Sequence, residues 1–290
     1  MKTAWNADVG IAYQSSGPAS GFPLLLLPGA AGQMVMWPRG FRAALVDRGC
    51  QVVRIDNRDT GLSTHLSRYD VPRRRRPPAY TLRDMTDDVI AVFDALGWSG
   101  GHVLGLSLGG ILAQATATYH PERVRGLVSM ASTPSVSPLV NRQKLLPNFR
   151  AWRAMRRKAR NGDEEGCKCV ELFRAIGSPG YPLDERHWRD VGRRQYERGL
   201  NPRGDVRILR AVLAAGDRRC ELGSVRCPAL IIHGEADPMC LVRAGRATAA
   251  AIPGARFVSY PGMGHDLPRE LWPAIVDEIM AHLHRSPCGY

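Results

Sequence analysis

Three residues of this 290-residue chain have the types and the settings that acyl transfer needs: Ser107, Asp237 and His265. A serine hydroxyl is a weak nucleophile until a neighbouring base removes its proton. A histidine base in turn needs a carboxylate that fixes its tautomer and stabilises its cation. Ser107 lies in Gly105-Leu106-Ser107-Leu108-Gly109, a GxSxG pattern preceded by the apolar pair Val103-Leu104 and followed by Ile111-Leu112-Ala113-Gln114-Ala115. That context reads as strand, sharp turn, helix, which presents the serine at the tip of a strained elbow. Gly105 and Gly109 keep the flanks of the turn free of side chains that would strike the strand and helix. Asp237 comes three residues after the apolar run 229–234, and His265 follows the run 255–260.

These settings depend on the elements around them. Continuous apolar runs bounded by Gly and Pro predict buried strands at 22–27, 50–56, 103–104, 127–132, 229–234 and 255–260. Helical spacing predicts helices over 36–49, 82–96, from the elbow to about 120, 242–251 and 271–284. Thr81-Leu82-Arg83-Asp84 resembles a capping box opening the second of these. Residues 3–18 read as two short strands and a turn. The alternation predicts βαβ units and a mostly parallel sheet. It breaks from Thr133 to Arg226, where helical segments near 139–160, 163–176, 184–198 and 203–215 replace it. The expected organisation is therefore one α/β core from residues 1–132 and 227–290, with a helical insertion at 133–226. In a parallel sheet the strand C-termini share one edge, so Ser107, Asp237 and His265 are predicted to converge there.

Composition excludes several classes. With 44% hydrophobic and 23% charged residues the chain is not globally disordered, and its length rules out a small stapled scaffold. Of the net charge of +13, about +10 falls in residues 134–228. No nucleic-acid motif accompanies this basic segment, so it reads as a solvated arginine-rich surface and no nucleic-acid partner is expected. The run Arg73-Arg74-Arg75-Arg76 reads as a solvated loop. Seven scattered cysteines without a signal peptide predict reduced thiols and a cytoplasmic location. Cys167 and Cys169 stand two apart on a predicted helix and point to different sides, so no metal site is expected, and no cofactor either. No apolar stretch has the length of a membrane span.

The chain order Ser, Asp, His is the one used by the α/β-hydrolase fold. The segments Arg58-Asp59-Thr60-Gly61-Leu62-Ser63, Gly105-Leu106-Ser107-Leu108-Gly109 and 261–268 (Pro-Gly-Met-Gly-His-Asp-Leu-Pro) are similar to those of the capped bacterial serine esterases, the group that includes aclacinomycin methylesterase. The resemblance runs along nearly the whole chain. It implies that the insertion is a cap over the site and that the oxyanion hole is built from the backbone N–H groups of Leu108 and of Ala30, with Ala31 as the alternative. Many relatives open that second loop with His-Gly, where this chain has Pro28-Gly29.

Other residues compete for these roles. Asp266 and Glu235 neighbour the base and the acid, but neither stands at the family position. The strand ending at Ser132 offers no carboxylate. His102 and His233 read as buried structural histidines, Asp59 as a support for its own loop, and Met34, Met36 and Trp37 as packing residues or lining of an acyl pocket. A serine rather than an aspartate at the elbow argues against dehalogenase or epoxide hydrolase chemistry. The residues predict hydrolysis of a small-molecule carboxylic ester, anionic or carrier-bound given the basic cap, for which Arg153 and Arg157 are examples. Thioester, lactone or carbon–carbon hydrolysis would use the same triad, and a slow-turnover binding protein would keep it.

Overall fold

A computed structural model describes residues 1–67, 77–136, 154 and 157–285. Eight strands form one sheet: β1 Lys2–Asn6, β2 Val9–Ser16, β3 Phe22–Leu27, β4 Cys50–Ile55, β5 Gly101–Leu106, β6 Val124–Met130, β7 Ala229–Gly234 and β8 Arg256–Tyr260. Their order is β1-β2-β4-β3-β5-β6-β7-β8. The N-terminal β1–β2 hairpin and the β2–β4 pair are antiparallel, and every pair from β4 to β8 is parallel. The expected mostly parallel sheet is thus present, extended at one edge by the hairpin.

Both faces of the central strands are covered, which is why they read as unbroken apolar runs rather than alternating ones. Leu24 to Leu27 of β3 are all fully buried. On one face lie α2 Leu82–Ala95 and α3 Leu108–Tyr119, whose Met85, Val89, Val92, Phe93, Ile111 and Leu112 pack against alternate strand residues such as Leu25, Leu27 and Val103. On the other face lie α1 Arg39–Asp47 and the C-terminal helix Trp272–Leu283, with Phe41, Leu45, Ile275 and Ile279 packed against Leu24, Leu26 and Leu104. Burying each such side chain contributes roughly 1.5–3 kcal/mol relative to leaving it in water.

Local signals act as predicted. Thr81 accepts from the Asp84 N–H while the Asp84 carboxylate accepts from the Thr81 N–H, completing a capping box. Several boundaries shift, two of them for evident reasons. The first helix begins only at Arg39, because Pro38 follows a separate 3-10 turn at Met34–Met36. Strand β6 ends at Met130 instead of 132, where Ala131 takes φ 45° and turns the chain away.

Between β6 and β7 the described chain is helical: α4 Gly162–Ile176, α5 Glu185–Glu197, α6 Pro202–Ala214 and the short α7 Arg219–Leu222. Helices α4 and α5 pack through their own apolar cluster of Cys169, Val170, Trp188 and Val191. Phe173 and Trp188 stack with their rings nearly parallel. After β7, α8 Val242–Ala251 returns the chain to β8, and α9 Trp272–Leu283 is the C-terminal helix named above. Most of the helix expected near 139–160, the Arg73-Arg74-Arg75-Arg76 run, Arg153 and Cys288 lie outside the described residues.

Candidate active site

The elbow is built by three glycines. A Cβ on Gly105 would stand 2.0 Å from the Gly109 carbonyl oxygen, and one on Gly109 would stand 2.1 Å from that of Leu27. A Cβ on Gly110 would meet the Ser132 Cβ at 2.5 Å. Strand β5, its turn and α3 therefore close to a distance that no side chain permits. Ser107 adopts φ 57° and ψ −118°, a conformation that costs a non-glycine residue about 1–3 kcal/mol and survives only where its surroundings enforce it. Here they do. The Ser107 N–H donates to Met130 O at 2.9 Å, and its carbonyl accepts from Ser132 Oγ at 2.7 Å and from the Gly110 N–H at 2.9 Å.

His265 reaches this serine from the loop after β8, with Nε2 2.9 Å from Ser107 Oγ. On its other side Nδ1 lies 2.7 Å from Asp237 Oδ2. With Nδ1–H donating to the carboxylate, Nε2 keeps its lone pair for the serine proton. Asp237, 2% exposed, is itself fixed: its Oδ1 accepts from the N–H groups of Met239 and Cys240, both at 2.8 Å. Burial disfavours the His265 cation, but the Asp237 charge and hydrogen bond, aided by Asp266, outweigh it and hold the histidine above its ordinary pKa. Ser107, Asp237 and His265 follow the C-terminal ends of the parallel strands β5, β7 and β8, and the structure brings their side chains together at that edge.

The loop after β3 passes over the serine. A Cβ on Gly29 would lie 3.4 Å from Ser107 Cβ. Ala31 takes φ 54°, and the Gly32 N–H donates to Gly29 O at 3.1 Å. Farther along, Met34 N–H donates to Asp56 Oδ1 at 2.7 Å, which ties this loop to the end of β4. Leu108 is the first residue of α3, where a backbone N–H has no acceptor in its own helix and the positive end of the helix dipole favours developing negative charge.

The competing residues are engaged in other contacts. His233 is fully buried, bonds Cys240 O through Nε2 at 2.6 Å, and is held below its ordinary pKa by burial. His102 is the second residue of β5, and burial pushes it down to about 3. Glu235 accepts from Ser259 Oγ at 2.8 Å on the surface. Asp266 accepts from Ser178 Oγ, and burial holds its carboxyl above the usual range. Met34 and Trp37 are buried packing residues. Met36 lies close to the position a Gly29 Cβ would take and also touches the α4–α5 cluster. A small cavity of ≈ 30 Å³ is lined by Trp37, Leu106, His187, Trp188, Asp266 and Trp272 beside the His265 loop.

Asp59 does more than support its loop. It accepts from Leu66 N–H at 2.7 Å and Tyr80 OH at 2.8 Å, and also pairs with Arg207 of α6, whose Nε and Nη2 lie 2.9 and 2.7 Å from its two oxygens. Asp56 likewise receives Arg198 from the end of α5. Gln33 donates to Gln195 O and Gly199 O at 3.1 and 3.0 Å. These buried and half-buried contacts fasten the inserted helices to the sheet edge.

The mostly parallel sheet flanked by helices on both faces is that of the α/β-hydrolases, and the chain belongs to the α/β-hydrolase family: the sequence pattern of the alpha/beta hydrolase fold matches residues 23–268. Among curated proteins it is similar to rhodomycin D methylesterase DnrP of Streptomyces peucetius, with 31% identity covering 96% of each chain. It is also similar to a pimeloyl-[acyl-carrier protein] methyl ester esterase of Chromobacterium violaceum, with 28% identity over 71% of this chain and 78% of that one. Among solved structures, the enol-lactonase from Burkholderia xenovorans LB400 superposes with a TM-score of 0.73 at 22% identity, covering 98% of this chain and 100% of the other, which speaks to the fold.

Proposed function

We propose that the protein is a serine carboxylic-ester hydrolase in which Ser107 is the nucleophile, His265 the general base and acid, and Asp237 the carboxylate that orients His265. The observation that carries this reading is the unbroken chain from Ser107 Oγ through His265 to Asp237, at 2.9 and 2.7 Å. Ser107 Oγ bonds to the ester carbonyl carbon while its proton passes to His265 Nε2. The tetrahedral intermediate collapses, the bond to the alcohol oxygen breaks, and the proton on Nε2 goes to the departing alkoxide. Water then attacks the acyl-enzyme with His265 again as base, which releases the acid and restores Ser107.

Two backbone donors would bind the developing oxyanion. Leu108 N–H suits this role as the first N–H of α3, and the loop after β3 supplies the second from Ala30, with the left-handed Ala31 beside it. Each such donor commonly contributes about 3 kcal/mol to the transition state.

In this reading residues 133–226 form a cap on a core of residues 1–132 and 227–290. The named activities of the curated relatives favour a methyl ester as substrate, and the basic cap favours an acyl group that is anionic or held by an acidic carrier. Purified protein assayed on a panel of methyl esters, thioesters and lactones, free and carrier-bound, tests this. Fastest turnover of methyl esters supports the reading; turnover confined to thioesters or lactones, or none at all, overturns it. Charge reversal at Arg157, which lies at the cap surface paired with Glu171, should weaken turnover of a carrier-bound ester and reduce its salt dependence. Unchanged kinetics would remove the acidic-carrier proposal.

A further inference from the structure

The loop that carries His265 is held from two directions. Asp237 grips the imidazole from the sheet edge, and the connection between α4 and α5 grips the loop backbone from the cap side. Ile176 ends α4, so its carbonyl is one of those left without an acceptor role inside the helix, and it accepts from the His265 N–H at 2.8 Å. Gly180 N–H donates to Gly262 O at 3.0 Å, and Tyr181 OH donates to Pro261 O at 3.2 Å. Between these contacts Ser178 uses its hydroxyl twice. It accepts from the Gly264 N–H at 2.8 Å and donates to the Asp266 carboxylate, so it touches the residues on both sides of His265.

The two segments approach too closely for side chains at the contact. A Cβ on Gly264 would lie 2.2 Å from Gly177 O, and one on Gly180 would lie 2.8 Å from Gly262 Cα. Asp266 is 6% exposed and, apart from Ser178, the ionisable groups that act on it are His265 and Asp237. Those that act on His265 are Asp237 and Asp266, while His233 lies beside them and is influenced by His265 in turn. The hydroxyl of Ser178 therefore touches both the backbone that carries the base and the second carboxylate beside it.

We propose that Ser178 and Asp266 are positioning residues, through which the α4–α5 connection holds His265 in line with Ser107, so that the inserted helices complete the catalytic base as well as covering the site. This rests on the reading of Ser107 and His265 as nucleophile and base. Neither residue touches the reacting atoms; each acts through the His265 loop. Removing the hydroxyl leaves Gly264 N–H without its acceptor and Asp266 with the Ser178 backbone N–H alone, which favours the protonated carboxyl. Less negative charge then faces His265, and its pKa falls.

The test compares wild-type protein with Ser178→Ala, Ser178→Thr and Asp266→Asn by steady-state kinetics on an aryl acetate across pH 5–9. For Ser178→Ala the expected result is a kcat roughly tenfold lower with KM changed by less than about twofold, together with an acidic limb of the pH–rate profile displaced to lower pH. Ser178→Thr, which keeps the hydroxyl, should recover most of both, and Asp266→Asn should reproduce the displaced limb. Arg174→Ala, which breaks only the surface pair with Glu185 that also links α4 and α5, should leave kcat and the profile unchanged. If Ser178→Ala and Asp266→Asn both keep the wild-type kcat and limb, the positioning role is wrong. If Ser178→Ala falls but Ser178→Thr does not recover, the hydroxyl is not the agent and the proposal also fails. Retained hydrolysis by Ser107→Ala would instead remove the underlying reading, so the two failures are distinguishable.

Discussion

Replacing Asp237 with asparagine isolates the orienting carboxylate. In the native site Oδ1 of Asp237 accepts from two backbone N–H groups at 2.8 Å, and Oδ2 accepts from His265 Nδ1–H at 2.7 Å. Asparagine has the same shape but one acceptor oxygen. That oxygen should stay with the N–H groups of Met239 and Cys240, because turning it would leave two donors facing an amide NH2 in a buried site. The NH2 then faces Nδ1, which must accept, and the imidazole proton moves to Nε2. There it points at Ser107 Oγ, and the base is lost. A wrong tautomer of this kind costs about 10⁴ in kcat, or about 5.5 kcal/mol of barrier at 1.36 kcal/mol per tenfold. Initial rates on a p-nitrophenyl ester, with thermal unfolding as a control for folding, measure it directly. A folded Asp237→Asn variant within tenfold of wild-type kcat would refute the assignment of Asp237.

Further perturbations give outcomes of different kinds. Arg207→Ala leaves Asp59 fully buried without its guanidinium and should lower stability by about 3–5 kcal/mol, read from the urea midpoint. Burial of Asp59 favours its neutral form, but Arg207, Leu66 and Tyr80 together hold it below the usual carboxylate range. The stabilisation from Asp59 is therefore complete above the unfolded carboxylate pKa and is lost as pH falls through the folded one, so acid should narrow the gap between wild type and Arg207→Ala. Because His265 is held above its ordinary value of 6.5 and must be neutral to act, the acidic limb of kcat/KM should have its midpoint above 6.5; a midpoint at or below it contradicts the placement of Asp237. Gly109→Ala puts a methyl group 2.1 Å from Leu27 O and should cost at least about 1–3 kcal/mol while displacing the elbow, visible as a lower melting temperature with loss of activity.

Much of the site was legible because its signals are local or follow from sheet geometry. The elbow is ten residues of strand, turn and helix, and its glycines announce a close approach that the structure places at Leu27 and Ser132. Asp237 and His265 could be found because residues just past parallel strands share an edge. The capping box at Thr81 is equally local. What the sequence concealed is long-range pairing. Arg198 meets Asp56 across 142 residues and Arg207 meets Asp59 across 148, and nothing in either neighbourhood marks the partner. Ser178 meets Asp266 in the same way, across 88 residues. Asp59 shows this limit most plainly: it reads as a support for its own loop, whereas its bond to α6 depends on how the inserted helices settle on the sheet edge.

The most direct measurement is covalent labelling of the purified protein with a fluorophosphonate, followed by peptide mass analysis and an ester hydrolysis assay on the same sample. The account predicts one phosphonyl group per chain, on Ser107, hydrolysis lost in proportion to labelling, and neither labelling nor hydrolysis in Ser107→Ala. Labelling at another serine, or hydrolysis that persists in a folded Ser107→Ala variant, would contradict it.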